Sequence, residues 1–555
     1  MKKFSIILSA ILLSASALQA QVNKQVEVTK AYIPTVSKAD KPLLPAFITD
    51  TAYINPDVDY SITPLSINTQ LQTLPIKPAT VTYWEFNKPS LGQVKVGAGV
   101  PLNSLLQLYL SSHNSSVGYV AAEVDHVGDY SDIKNSLGQK NNATQALNSA
   151  AISAGVYLGE RALEAKASYF NNLYNKYAFE QTQSTFVKYQ QAMGAIRFGD
   201  NFVDLDRFNF SIGGDYAHFF DKGNNIENLA NFEALVAQEL GLGNMYLGAQ
   251  FKSISSSDTY NNQTATLHLT FDKIISNWQV IFGAQYYYDN NSFDESQTPN
   301  HYLIPRITVK RATQNPISLF AEVGGFLHQN NYAELSKINP YITPGLSAQS
   351  TVEYNFGAGI MGQNGSSTFA YRLYANYNMA FNHNFWGLYI IQDSSTETIY
   401  DNYFTLTQTH LNTTSANVEF SYKPVTNLAL AFDAHYYLYG DYDKGEDNDN
   451  LFVNSKPNFD LALSADYTLR SFEMGVKAQL IGERDFSVYY NDASLTESTE
   501  VLPTAVDLSA YINWRASNKL SIFAEGSNLC NSDLYPWAMY RGFGVRLTAG
   551  VKLKF

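Results

Sequence analysis

The sequence predicts an all-β fold: a transmembrane, antiparallel, up-and-down β-barrel of about 22 strands, preceded by a signal peptide and a short extended N-terminal segment. Three observations predict it. Long runs alternate strictly with period two, the connections between them alternate between short and long, and an export signal opens a chain with no later apolar stretch of helix-spanning length.

Composition narrows the class. With 45% hydrophobic and 16% charged residues in 555, the chain is neither a disordered polymer nor a helical membrane protein. Tyr 39, Phe 33 and Trp 5 bring aromatics to 14%, and these residues favour half-buried strands and boundaries between apolar and wet surroundings. Lys+Arg 37 against Asp+Glu 50 gives a net charge of −13, which argues against a nucleic-acid partner. A single cysteine, Cys530, rules out an intrachain disulfide framework and any multi-cysteine metal site. No G-x-S-x-G, H-E-x-x-H or comparable nucleophile–base spacing occurs, so the expectation is a protein that is not an enzyme and has no catalytic residues.

The elements follow in chain order. Residues 1–20 read as a signal peptide: Lys2 and Lys3 form the positive region, 4–13 the apolar core, and Ala15-Ser16-Ala17 or Ala20-Gln21 the cleavage site. Residues 21–90 hold 8 of the 18 prolines, which prevents long helices and paired central strands. Apolar anchors such as Tyr32, Phe47, Tyr83 and Trp84 still require a surface to cover, so this segment is expected to fill the lumen, to dock a periplasmic partner, or to tether against the barrel base. Residues 91–555 are the barrel.

Within the barrel, Leu428, Leu430, Phe432, Ala434, Tyr436 and Leu438 share one face, with Asp433, His435, Tyr437 and Tyr439 on the other. Val506, Leu508, Ala510, Ile512 and Trp514 alternate with Asp507, Ser509, Tyr511, Asn513 and Arg515, and the last strand alternates to its final residue, Phe555. The runs reach the roughly 9 to 11 residues of a tilted membrane strand, longer than the 5 or 6 usual in soluble sandwiches. Asp433, His435, Tyr437 and Tyr511 are therefore expected to face the lumen.

The gaps keep a parity. Short connections at 114–116, 159–161, 241–244, 276–277, 362–367, 424–427, 470–471 and 516–519 alternate with long polar ones at 131–147, 171–190, 255–263, 289–300, 328–350, 382–401, 440–458, 483–503 and 531–541. This is the pattern of an outer-membrane barrel with both termini in the periplasm, and only 101–104 is short where a long loop is due. About 22 strands make a lumen of transporter size, wider than a packed barrel or a porin.

The C-terminal region, with Asn528-Leu529, Tyr535-Pro536, Gly542 and an alternating strand ending in Phe555, resembles the last hairpin of TonB-dependent outer-membrane receptors. Val94-Lys95-Val96-Gly97-Ala98-Gly99-Val100-Pro101 is similar to the first strand of receptor-like barrels from the Bacteroidota. The resemblance covers about 465 of 555 residues. It departs from the family in two ways: the Pro-Gly-Arg of the final loop stands here only as Arg541-Gly542, and the family's globular plug has no room before the first strand, so a plugless relative is implied. By resemblance to outer-membrane barrels generally, Phe555 is implied to be the aromatic signal read by the assembly machinery. Residues 25–31, with Val26, Glu27, Val28 and Thr29 at their centre, loosely resemble the TonB box, the strand through which receptors pair with the energy-transducing protein by β-augmentation, although such alternation is common in any strand.

One metal candidate remains. Asp441, Asp443, Asp447 and Asp449, beside Gly445, offer the hard oxygen ligands that calcium (Ca2+) prefers, but lack the twelfth-position glutamate of an EF-hand, and a solvated acidic loop tip is the plainer reading. No other cofactor is expected. The partners expected are outer-membrane lipid and TonB or other envelope proteins. Three functions stay open: transport or ligand uptake across the outer membrane by a monomeric receptor-like barrel, a non-transporting structural subunit of an envelope assembly or export complex, and an open porin.

Overall fold

The computed structural model describes residues 91–555 apart from 113–116, 136–137, 180–185, 258–259, 292–297, 312–316, 365–367, 393–398, 441–454 and 491–495. The signal peptide, the 21–90 segment with Val26, Glu27, Val28 and Thr29, and the acidic stretch with Asp441, Asp443, Asp447 and Asp449 lie outside the described residues. The rest is a closed antiparallel barrel of 22 strands. Neighbours in sequence pair around the ring, and the first strand, Gly92–Val100, pairs with the last, Arg546–Lys554, through eight residue partners from Gln93↔Lys554 to Val100↔Leu547.

Alternation sets the two faces. Leu547, Val551 and Leu553 project outward, Leu547 with 52% exposure, while Arg546, Thr548 and Lys552 point into the lumen. Dozens of outward Leu, Val, Ile and Phe side chains remain exposed on the isolated chain, a surface that only lipid can cover. Aromatics edge this band. Trp278, Phe472, Trp514 and Phe555 mark the turn end, and Tyr286, Tyr288 and Tyr436 the loop end. Trp278 and Tyr288 stand ten residues apart on the strand Trp278–Asn291. That is about 33 Å at roughly 3.3 Å per residue, or about 25 Å of height after a tilt of roughly 40°, the thickness of an outer-membrane apolar band.

Several polar groups of the lumen are held in pairs. Lys95 meets Glu525, Arg546 holds Asp129 at 2.8 Å, and Tyr511 donates to Asp466 at 2.7 Å. The first two pairs each join one of the chain-end strands to a strand beyond its own neighbour, which ties the closing seam. One other seam is weak: strands Asn300–Arg311 and Ser318–His328 share only the four partners Ile307↔Val323 to Lys310↔Phe320. Pro305 lies just beyond the last of them, where its missing N–H suits a strand losing its neighbour.

The parity of connections holds with one more exception than the sequence suggested. Residues 222–225 make a tight turn at the loop end, fixed by Asp221, which accepts from Asn225 N at 3.0 Å and Asn225 Nδ2 at 2.7 Å. Several expected loops are partly strand: Phe369–Gln392 and Ile399–Val425 run 24 and 27 residues and overhang the barrel as a long hairpin. The hairpin formed by Arg484–Tyr490 and Thr496–Leu502 extends this overhang, pairing in parallel through Gly387↔Ser487 to Ile390↔Tyr490. At the other extreme the last strand begins at Arg546, later than the alternation suggests. The Asn528 side chain holds the preceding turn by donating to Ser532 O at 2.8 Å and Phe543 O at 3.0 Å.

This topology makes Cys530, exposed on the 528–545 loop, a built-in reporter. On intact cells it should react with a membrane-impermeant maleimide, as should a Cys530→Ser protein carrying Asn142→Cys, whereas Ser517→Cys in the same background should react only after lysis. Labelling of the Ser517→Cys protein on intact cells would invert the orientation.

Candidate functional site

The most organised region outside the barrel wall is its loop-end mouth, where several loops of the chain pack together. The segment between strands Ser318–His328 and Thr351–Gln363 turns inward and carries a short helix, Tyr332–Ile338. Asn331 caps the helix, its side chain accepting from Glu334 N at 2.9 Å. The two free N–H groups of the first turn, on Tyr332 and Ala333, donate to Glu227 Oε1 at 3.0 Å and Oε2 at 2.9 Å. A carboxylate at a helix N-terminus satisfies both the orphan donors and the helix dipole, so Glu227 clips this lid to the barrel rim. Tyr332 adds a bond of 2.7 Å from its hydroxyl to Asp221, and its ring meets Phe219 edge-on at 5.4 Å.

The far half of the lid is anchored as a strand. Phe404 N donates to Tyr341 O and Thr343 N to Phe404 O, both at 2.8 Å. Tyr341 then stacks on Tyr540 from the last long loop, with ring centroids 3.8 Å apart and planes at 18°, while Tyr177 packs edge-on against both rings. Trp537 joins the same core, 5.4 Å from Phe404 and 5.6 Å from Trp386. Ser350 donates to Asp289 at 3.0 Å and Tyr260 to Ala348 O at 2.9 Å, fixing the return to the barrel. Loops after the fifth, thirteenth and last-but-one barrel strands thus share one aromatic core with the overhanging hairpins. Burial pushes the hydroxyls of Tyr177, Tyr332, Tyr341 and Tyr540 above the ordinary tyrosine range, so all stay protonated and able to donate.

Replacing Glu227 by Ala leaves two buried N–H groups without an acceptor, at roughly 1–3 kcal/mol each. Amide exchange over 332–338 should then accelerate about tenfold or more while barrel amides stay protected. Unchanged exchange there would mean that the aromatic core alone holds the lid.

The sequence-expected residues lie elsewhere. Asp433, His435 and Tyr437 share the inward face of Leu428–Tyr439, but His435 bonds Asn417 at 2.8 Å, not Asp433, and its ring stacks on Tyr437 at 6.3 Å. Tyr511 sits on a neighbouring wall. Phe555 is 51% exposed on the outer face, and its backbone exchanges two 3.0 Å bonds with Gly92. Among the described residues no group of three or more His, Cys, Asp or Glu could hold a metal ion. The lid helix, Glu227, Tyr341 and Tyr540 were not read from the sequence, where only Asn331 followed by Glu334 signals a helix start.

No protein-family model and no curated protein matches the sequence. The fold does match solved structures. The FrpB iron transporter from Neisseria meningitidis (F3-3 variant) superposes with a TM-score of 0.65 at 11% identity, over 85% of this chain and 82% of that one. The siderophore receptor PirA from Acinetobacter baumannii gives 0.62 at 10% identity, over 85% and 81%. The pyoverdine outer membrane receptor FpvA from Pseudomonas aeruginosa PAO1, bound to pyoverdine, gives 0.60 at 12% identity, over 84% and 79%. These neighbours are transporters and receptors, and with a closed ring of 22 strands this chain is a multi-pass outer-membrane β-barrel that shares their fold.

Proposed function

We propose that the protein takes up a ligand across the outer membrane in the manner of a TonB-dependent receptor. The observation that carries this reading is the anchored loop at the mouth: a lid clipped by Glu227 and stacked on Tyr540 suits a barrel that admits solutes selectively, and it weighs against an open porin. The fold neighbours described as an iron transporter and siderophore receptors support it further. A subunit role in an envelope assembly has its own support in the overhanging hairpin, whose 24- and 27-residue strands offer a sheet beyond the bilayer for a partner to engage.

The uptake reading is tested on the full chain with the purified periplasmic domain of TonB. Binding is expected, and Val26→Pro with Val28→Pro should abolish it, because proline removes the N–H donors on which strand addition depends. Absence of binding by the unaltered chain would remove TonB from the mechanism, and stable recovery with other envelope proteins would then favour the subunit role.

A further inference from the structure

Beneath the lid, the lumen wall holds a cavity of about 320 Å³, at the small end of the roughly 300–1,000 Å³ range of small-molecule sites. Strand register builds it. Gly213, Glu233, Gln250 and Thr266 stand side by side across four strands, with Gly248 and His268 paired in the next row. The two glycines hollow the wall: a Cβ at Gly248 would fall 2.0 Å from the His268 ring, and one at Gly213 would fall 3.4 Å from Glu233 Oε1. The imidazole and the carboxylate therefore lie across positions without side chains. Gln329, at the root of the lid, closes the top and is fixed by donating to Asn262 Oδ1 at 2.9 Å.

The polar groups here are uncommitted. The side chains of Glu233, Lys252, Thr266 and His268 make no hydrogen bond or ion pair with any described residue. The lid carboxylate Glu334 pairs with His328 at 3.2 Å and also feels the charge of Lys252, with which it makes no ion pair. Several other lumen charges are paired, as in Lys95 with Glu525 and Arg546 with Asp129. Arg197, a second cation lining the recess, is engaged by Glu164 at 3.8 Å and donates to Ser211 at 2.9 Å, which leaves Glu233 and Lys252 to face the recess from adjacent strands without an ion pair, as diagonal neighbours roughly 7–8 Å apart at the backbone.

We propose that this recess binds a small zwitterionic solute of the amino-acid and dipeptide class, its ammonium on Glu233 and its carboxylate on Lys252, with Thr266 and His268 completing its polar contacts. A simple anion would meet Glu233 as a like charge and a simple cation would meet Lys252. A neutral sugar would use the hydroxyl and imidazole groups but leave both charges without a counterpart. Only a ligand carrying both charges satisfies both residues. The site rests on the uptake reading, of which it names the substrate class, and Gln329 gives the bound solute direct contact with the root of the lid.

The test is calorimetric titration of the purified full-length protein in detergent with glycylglycine, N-acetyl-glycylglycine, glycylglycinamide and maltose. Glycylglycine should bind, and blocking either terminus should weaken it about tenfold or more, as expected for loss of one charge-assisted bond. Glu233→Gln should weaken glycylglycine similarly but leave the N-acetyl form unaffected, while Lys252→Met should do the same for the free peptide and the amide. These non-additive pairs are the signature of direct contact. Equal binding of the blocked and free peptides, binding of maltose as tight as that of glycylglycine, or no response to either substitution would overturn the proposal. Heat-modifiable mobility checks that each variant is folded, and either substitution with its matching peptide suffices if the other fails. Peptide binding without uptake into cells would sink the transport reading and leave the site, whereas uptake of another ligand with no peptide binding would do the reverse.

Discussion

Replacing residues 331–346 by a short Gly-Ser linker is expected to turn a barrel that scarcely conducts in planar bilayers into one with a large, steady conductance, and to sensitise cells to antibiotics normally too bulky for the outer membrane. The expectation follows from size: a ring of 22 strands encloses a lumen of transporter width, beyond the 16 to 18 strands that already leave an aqueous channel. The excised residues hold the helix that Glu227 clips and the Tyr341 ring stacked on Tyr540. Tyr540→Ala is a milder version. It removes a fully buried aromatic at a cost of about 3–5 kcal/mol and should raise the frequency of openings before it raises their size. A full-length protein that already conducts like a porin would refute the closed mouth, and a lidless protein that stays shut would move the obstruction to residues 21–90.

Much of the barrel was legible because a membrane strand writes itself locally. Leu428, Leu430 and Phe432 alternate with Ala429, Ala431 and Asp433 whatever the rest of the chain does, and the burial of one face in lipid enforces this over the whole strand. Turns such as Ser276-Asn277 are equally local, with Ser276 at φ 55° between two paired strands. The mouth was not legible, for the opposite reason. Its core joins Tyr177, Tyr341, Phe404 and Tyr540, residues that lie far apart in sequence, and all but Phe404 fall inside segments whose polar composition reads as loop. High aromatic usage, tyrosine above all, was visible, and its assignment to strands and interfacial girdles accounts for Trp278, Tyr288 and Phe472. A third use, a loop core that is apolar in the ring and hydrogen-bonded at the hydroxyl, has no periodic signature. Tyr540 illustrates it: its ring is buried among three aromatic neighbours, Tyr177, Tyr341 and Phe404, while its hydroxyl donates to Asn402 at 2.5 Å. The wall cavity was hidden likewise, because Glu233, Gln250 and Thr266 become neighbours only through the register of separate strands.

Removing residues 21–85 should abolish capture by the TonB domain while leaving conductance low, and combining that deletion with loss of the lid should not exceed the conductance of the lidless protein by more than a small factor. The argument turns on what the lid does alone. Glu227, Asp221 and Asp289 hold it to strands of the barrel, and Phe404 and Tyr540 hold its far half, all within residues 91–555, so closure of the mouth needs nothing from the N-terminal segment. If the segment instead fills the lumen below the lid, the two deletions should act in series: neither alone opens the barrel fully, and the double deletion conducts far more than either. The two outcomes separate a docking strand from a plug on one instrument, with loss of TonB capture as the independent measure of docking. Low conductance of the 21–85 deletion together with undiminished TonB capture would exclude both roles for the segment and leave it a tether.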